Sequence, residues 1–103
     1  MTMGDIVRIL DKCKIAYTIK KEEIVVNKAK NNEHKPVDMS FRYTTYDDDR
    51  GTCISYMIGK WYDDYYGIGA WFEKNDTEDT LIGLLRKFGF NVPEVSFKQM
   101  RLF

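Results

Sequence analysis

The chain has two cysteines, two prolines and one histidine, and no apolar run of any length. Each scarcity excludes something. No stretch approaches the roughly 18 apolar residues that a membrane-spanning helix needs, so no membrane partner is expected. Residues 1–10 carry Asp5 and Arg8 inside their apolar pattern, so no secretory signal is expected. Cys13 and Cys53 lie too far apart and are too few for the disulfide framework of a small secreted domain. They read as two thiols in a reducing compartment, which gives a cytoplasmic expectation.

His34 stands in a polar stretch without a nearby cysteine or a second histidine, and a zinc site needs three or four ligands. Ser40, Ser55 and Ser96 lack a strand-turn-helix elbow, and His34 alone would have to serve each as base, which argues against a hydrolytic triad. Gly67-Ile68-Gly69 precedes strand residues, with no Gly-Lys-Ser/Thr after it, so it is no phosphate loop. Asp47-Asp48-Asp49-Arg50-Gly51 invites a calcium reading. An EF-hand places Gly sixth and Glu twelfth, where this chain has Thr52 and Ile58. The run reads instead as a charged hairpin tip, with Gly51 supplying a positive φ. Magnesium held by Asp48 or Asp49 together with Asp63 or Asp64 requires two hairpin ends to converge. The expectation is a protein that is not an enzyme and carries no cofactor or metal.

What is present is a 103-residue chain, 44% hydrophobic and 15% aromatic, long enough for one packed core. Sixteen basic residues balance sixteen acidic ones, but they are segregated. Residues 1–44 carry a net +3, residues 45–80 a net −6 and residues 81–103 a net +3. Ten of the fifteen aromatics fall between Phe41 and Phe72, inside or beside the acidic block.

Ile6, Ile9, Leu10 and Cys13 recur at helical spacing and predict a helix over Met3–Lys14, with Thr2 and Asp5 as a capping box. Ala16–Lys20 and Glu23–Asn27 predict a hairpin, and Lys28–Pro36 a solvated loop. Val37, Met39, Phe41 and Tyr43 alternate with polar residues, the strongest strand signal of the chain. A second strand is expected over Thr52–Trp61 and a third over Tyr65–Glu73. Gly67 and Gly69 share one face of that third strand, leaving room for a helix or ligand to approach. Asp76 or Thr77 opens a second helix that runs to Phe88, with Leu81, Leu84, Leu85 and Phe88 as its buried stripe and Gly89 past its end. Val95–Phe97 reads as a short edge strand, and Met100–Phe103 as a tail. The order α-β-β-β-β-β-α gives an α+β domain, an antiparallel meander of about five strands with both helices on one face.

Phe41, Tyr43, Tyr56 and Phe72 suit buried strand faces, whereas Trp61, Tyr62, Tyr65 and Tyr66 flank Asp63-Asp64 and suit a surface. The binding set is therefore Tyr46, Asp47, Asp48, Asp49, Trp61, Tyr62, Asp63, Asp64, Tyr65 and Tyr66. Aromatics give such a patch contact area and carboxylates steer a basic partner onto it. A protein surface that normally holds phosphate is the commonest large basic target, and a row of Asp imitates phosphate charge. The expected partner is thus a basic, nucleic-acid-handling protein, which the chain would bind and block. In size and charge the chain resembles small inhibitors from phages and mobile elements, such as anti-CRISPR or anti-restriction proteins, although no motif carries a family match. The element order also resembles double-stranded-RNA modules in outline, but direct nucleic-acid binding is disfavoured because the strands and turns carry acid. The alternative is a nucleotide or nucleic-acid ligand stacked by Trp61, Tyr66 and Trp71 with Arg42 or Arg50. A homodimer, with basic flanks meeting an acidic middle, is also compatible with the charge pattern.

Overall fold

The computed structural model describes residues 1–61 and 64–93, apart from the side chains of Trp61 and Tyr65. The expected strand at Val95–Phe97 and the tail at Met100–Phe103 lie outside the described residues.

Helix α1 spans Met3–Lys12. Thr2 Oγ1 accepts from the Asp5 N–H at 3.1 Å, and Asp5 Oδ2 accepts from the Thr2 N–H at 2.9 Å, which closes the capping box. The helix stops two residues short of the expected Lys14, because Cys13 is its C-cap and Lys14 turns to φ +59°. Strands β1 (Thr18–Lys20), β2 (Glu23–Lys30), β3 (Pro36–Thr45), β4 (Thr52–Trp61) and β5 (Tyr65–Trp71) follow, then helix α2 (Glu78–Lys87). Thr77 caps α2, accepting from the Asp79 N–H, and Gly89 just beyond it takes φ +91°.

The strands form one sheet in the order β1-β2-β3-β4-β5, every pair antiparallel. Strand β2 runs three residues further than expected. Lys28, Ala29 and Lys30 have no large apolar side chain and read as loop, yet a bulge between Val26 and Ala29 carries the ladder on. At that bulge Lys28 adopts φ +53° and its N–H donates to Asp38 Oδ1 at 2.7 Å.

Pairing registers decide which side chains share a face. Ile24, Phe41 and Tyr56 form one row, and Val26, Met39, Ile58 and Ile68 the next. These rows meet Ile6, Ile9 and Leu10 of α1 and Leu81 and Leu85 of α2, with Phe88, in the core. Leu84, expected in the stripe, is half-buried. Tyr43 shares the core-facing register but is 44% exposed. Arg8 joins the helices, pairing with Asp5 at 2.6 Å and with Glu78 of α2.

Asn31 is the one buried polar residue among the described residues. Its Oδ1 accepts from the Glu33 and Lys35 N–H groups at 2.9 and 3.0 Å, and its Nδ2 donates to the Phe88 carbonyl at 2.7 Å. The loop expected to be merely solvated is thereby fastened to the end of α2.

Candidate functional site: the open face of the sheet

With both helices on one side, the opposite face is left uncovered by any described element. Its rows follow from the same registers. Val25, Ser40, Met57 and Gly69 lie side by side across β2 to β5, and Glu23, Arg42, Ser55 and Trp71 form the next row. Small neighbours leave Met57 standing clear, 60% exposed. Shallow depressions of about 510 and 400 Å³ lie on its two sides. Gly67 and Gly69 belong to this face, so the space beside them faces solvent and not a helix.

One end of the face is built by the β3–β4 loop. Asp48 Oδ1 accepts from the Arg50 N–H at 2.9 Å, the Gly51 N–H bonds the Asp48 carbonyl at 3.1 Å, and Gly51 turns at φ +60°. The charged hairpin tip read from the sequence is therefore present. The turn folds Arg50 back onto the sheet. Its guanidinium carbon sits 3.7 Å from the Tyr46 ring centroid and 4.4 Å from that of Trp71 on β5. Nε and Nη2 also grip the Asp48 carboxylate, at distances down to 2.5 Å. The hydrogen bond from the Arg50 side chain, joined by its backbone N–H, holds the Asp48 carboxyl down to about 2. Trp71 Nε1 donates to Glu73 Oε1 at 2.9 Å.

Tyr46 and Trp71, whose ring centroids lie 5.8 Å apart at a tilt of 54°, thus form a corner that holds Arg50, and Asp48 takes one edge of its guanidinium. Asp47, Asp49 and Glu73 remain exposed around it, countered nearby by Lys74. A depression of about 530 Å³ at this end is bounded by Asp49, Arg50, Cys53, Trp71 and Glu73 among others. Cys13 and Cys53 are both free thiols, and burial pushes the Cys13 thiol up.

The predicted site residues are divided by the topology. Tyr46, Asp47, Asp48 and Asp49 lie together at this end. Asp64 and Tyr66 lie at the other, because consecutive hairpins of a meander close at alternate ends of the shared strand. The ten residues of β4 separate the two groups by about 30 Å. Asp48 or Asp49 therefore does not converge with Asp64, and no group of three metal-binding side chains occurs among the described residues. Tyr62 and Asp63 lie outside the described residues, as do the side chains of Trp61 and Tyr65, whose backbones pair with each other at the far end of β4 and β5.

The alternative ligand set is also split. Arg42, Arg50 and Trp71 belong to the open face. Tyr66 belongs to the helix side, its ring 5.6 Å from that of Phe88 and its face near Lys60 and Lys87. Met57, Ser40, Ser55 and Glu73 were not in either predicted set. The alternation of Cys53, Ser55 and Met57 along β4 was the available signal, since it places Met57 opposite the buried Ile58.

Fold and site define a small α+β domain with an open-faced antiparallel sheet and an acidic, aromatic end. No family model, curated protein or solved structure matches the chain.

Proposed function

We propose that the chain is a non-enzymatic binding module that docks on a basic, nucleic-acid-handling protein and blocks it. The contact surface is the open sheet face around Met57 together with the end formed by Tyr46, Asp47, Asp48, Asp49, Arg50 and Trp71. The observation that carries this reading is the Tyr46–Arg50–Trp71 stack. It fixes three large side chains at the margin of an uncovered face, so little side-chain entropy is lost when a partner settles on them. Asp48 neutralises Arg50, leaving Asp47, Asp49 and Glu73 in excess to attract positive charge.

The test compares the wild type with Asp47→Lys/Asp49→Lys and with Met57→Asp in affinity capture, followed by titration against each purified captured protein. The expected result is a basic nucleic-acid-binding protein held by the wild type, released by rising salt, and lost by at least tenfold in both variants. Equal capture by all three proteins overturns the reading. Titration of tryptophan fluorescence with nucleotides and short oligonucleotides is expected to give no response, and a saturable response would favour a ligand module instead.

A further inference from the structure

The two edges of the sheet are treated differently. The β1 edge is three residues long and ends in Lys20, with Lys21 and Glu22 following, the usual protection against strand-to-strand pairing. The β5 edge is seven residues long, Tyr-Tyr-Gly-Ile-Gly-Ala-Trp, with no charge, no proline and no register break against β4. Among the described residues, none of the usual protections is present on it.

The ladder also shows which backbone groups point outward. The Phe72 N–H donates to the Ile54 carbonyl at 2.9 Å, continuing the β4–β5 register by one step. In an antiparallel pair, hydrogen-bonded and non-bonded pairs alternate. Ile54 with Phe72 is a bonded pair, so Tyr56 with Ala70, Ile58 with Ile68 and Lys60 with Tyr66 are bonded too. The N–H and C=O groups of Tyr65, Gly67, Gly69 and Trp71 therefore point away from β4. No described strand or loop is hydrogen-bonded to them. Two of these four residues are glycines, so no side chain shields the backbone there.

We infer that β5 is a pairing edge whose occupant is β5 of a second copy of this chain, antiparallel about a two-fold axis through Ile68. The sequence is self-complementary in that register. Tyr65 meets Trp71 of the second copy, Gly67 meets Gly69, and Ile68 meets its own counterpart on the axis. The four outward-pointing residues on each copy then fall in bonded pairs, giving about eight backbone hydrogen bonds. All seven residues of β5 are paired with no overhang. No like charges are brought opposite each other within the strand, since it has none. A two-fold perpendicular to the sheet keeps both open faces on one side, so the pair presents one ten-stranded surface.

The test is the mass of the full chain in solution, by light scattering and by sedimentation across concentration, for wild type, Gly69→Ala and Gly69→Pro. Alanine keeps the N–H, and a Cβ at Gly69 meets nothing nearer than Met57 Cγ at 3.7 Å. Proline removes an outward N–H without touching the bonds to β4. Wild type and Gly69→Ala are expected at twice the 12.2 kDa chain mass, and Gly69→Pro at the chain mass itself with its circular dichroism retained. Amide exchange of Gly67, Gly69 and Trp71 in the wild type keeps the inference testable if Gly69→Pro does not fold. Protection that disappears on dilution supports it. A wild type that is monomeric at millimolar concentration overturns it, as does a dimer unaffected by proline in a folded variant. Protection of these amides that is independent of concentration and lost on removing residues 94–103 overturns it as well, because the chain itself then covers the edge.

Discussion

The Arg50 guanidinium carbon lies 3.7 Å from the centroid of the Tyr46 ring, four residues before it across a tight loop. The Trp71 ring, 4.4 Å from the same carbon and tilted against Tyr46, comes from β5, a strand that shares no backbone hydrogen bond with that loop. Arg50 therefore ties the β3–β4 turn to β5 through side chains alone. Replacing it with alanine is expected to loosen the turn and expose the Trp71 indole, while global melting stays almost unchanged. Arg50→Lys is expected to behave like the alanine variant, since an ammonium lacks the planar fork that stacks and grips Asp48 together. A red shift of Trp71 fluorescence and faster exchange of the Tyr46 and Gly51 amides would report the change.

Asp48 supplies the pH dependence of this end. Its folded-state value is about 2, against an ordinary 3.8, so its contribution is fully present above pH 3.8. It is lost as pH falls through 2, when the carboxylate accepts a proton and the grip on Arg50 weakens. Carboxyl chemical shifts should show Asp48 titrating well below the ordinary carboxylate value of 3.8. In Arg50→Ala its midpoint should move up toward 3.8, because the Arg50 side-chain hydrogen bond is the largest cause of the depression.

Much of this end was legible in the sequence because turn chemistry is local: three Asp, an Arg and a Gly in succession define the tip by themselves. The strands were legible for a similar reason, since the alternation of Val37, Met39 and Phe41 states which face is buried. Three features were not. The separation of Asp47–Asp49 from Asp64 is a property of meander connectivity, and adjacency in the chain concealed it. Tyr66 flanks the same acidic pair as Tyr65, yet its ladder position turns it to the helix side against Phe88. The continuation of β2 through Lys28 depended on Asp38 of the neighbouring strand, which no local pattern reveals.

In the sequence Asn31 reads as loop polarity, and its burial makes it the most sensitive polar position among the described residues. Asn31→Ala leaves the Glu33 and Lys35 N–H groups and the Phe88 carbonyl without this partner. The expected loss is about 2–4 kcal/mol, measured by denaturant unfolding. Gly89→Ala should destabilise in the same direction. A Cβ there would lie 2.7 Å from Asn31 Nδ2, at a φ of +91° that alanine rarely adopts. The two losses should not add, because both substitutions disrupt the same contact between the loop and the end of α2.

Met57 and Ile58 are sequence neighbours on opposite faces of β4, and they should separate stability from recognition. Ile58 is fully buried beneath α1 and α2, so Ile58→Ala is expected to cost about 2–5 kcal/mol by leaving a cavity. Met57 is 60% exposed, so Met57→Ala should change stability by no more than about 0.5 kcal/mol. Binding should follow the reverse order. Met57→Ala removes the one large apolar side chain between the two depressions of the open face, and partner affinity should fall at least tenfold. Ile58→Val, which keeps most of the core volume, should leave affinity within about twofold while still lowering stability by about 0.5–1.5 kcal/mol. Unfolding curves and partner titrations on the same four proteins, wild type included, decide the matter. A Met57→Ala variant that binds like the wild type would move the docking surface off the sheet and onto the helices.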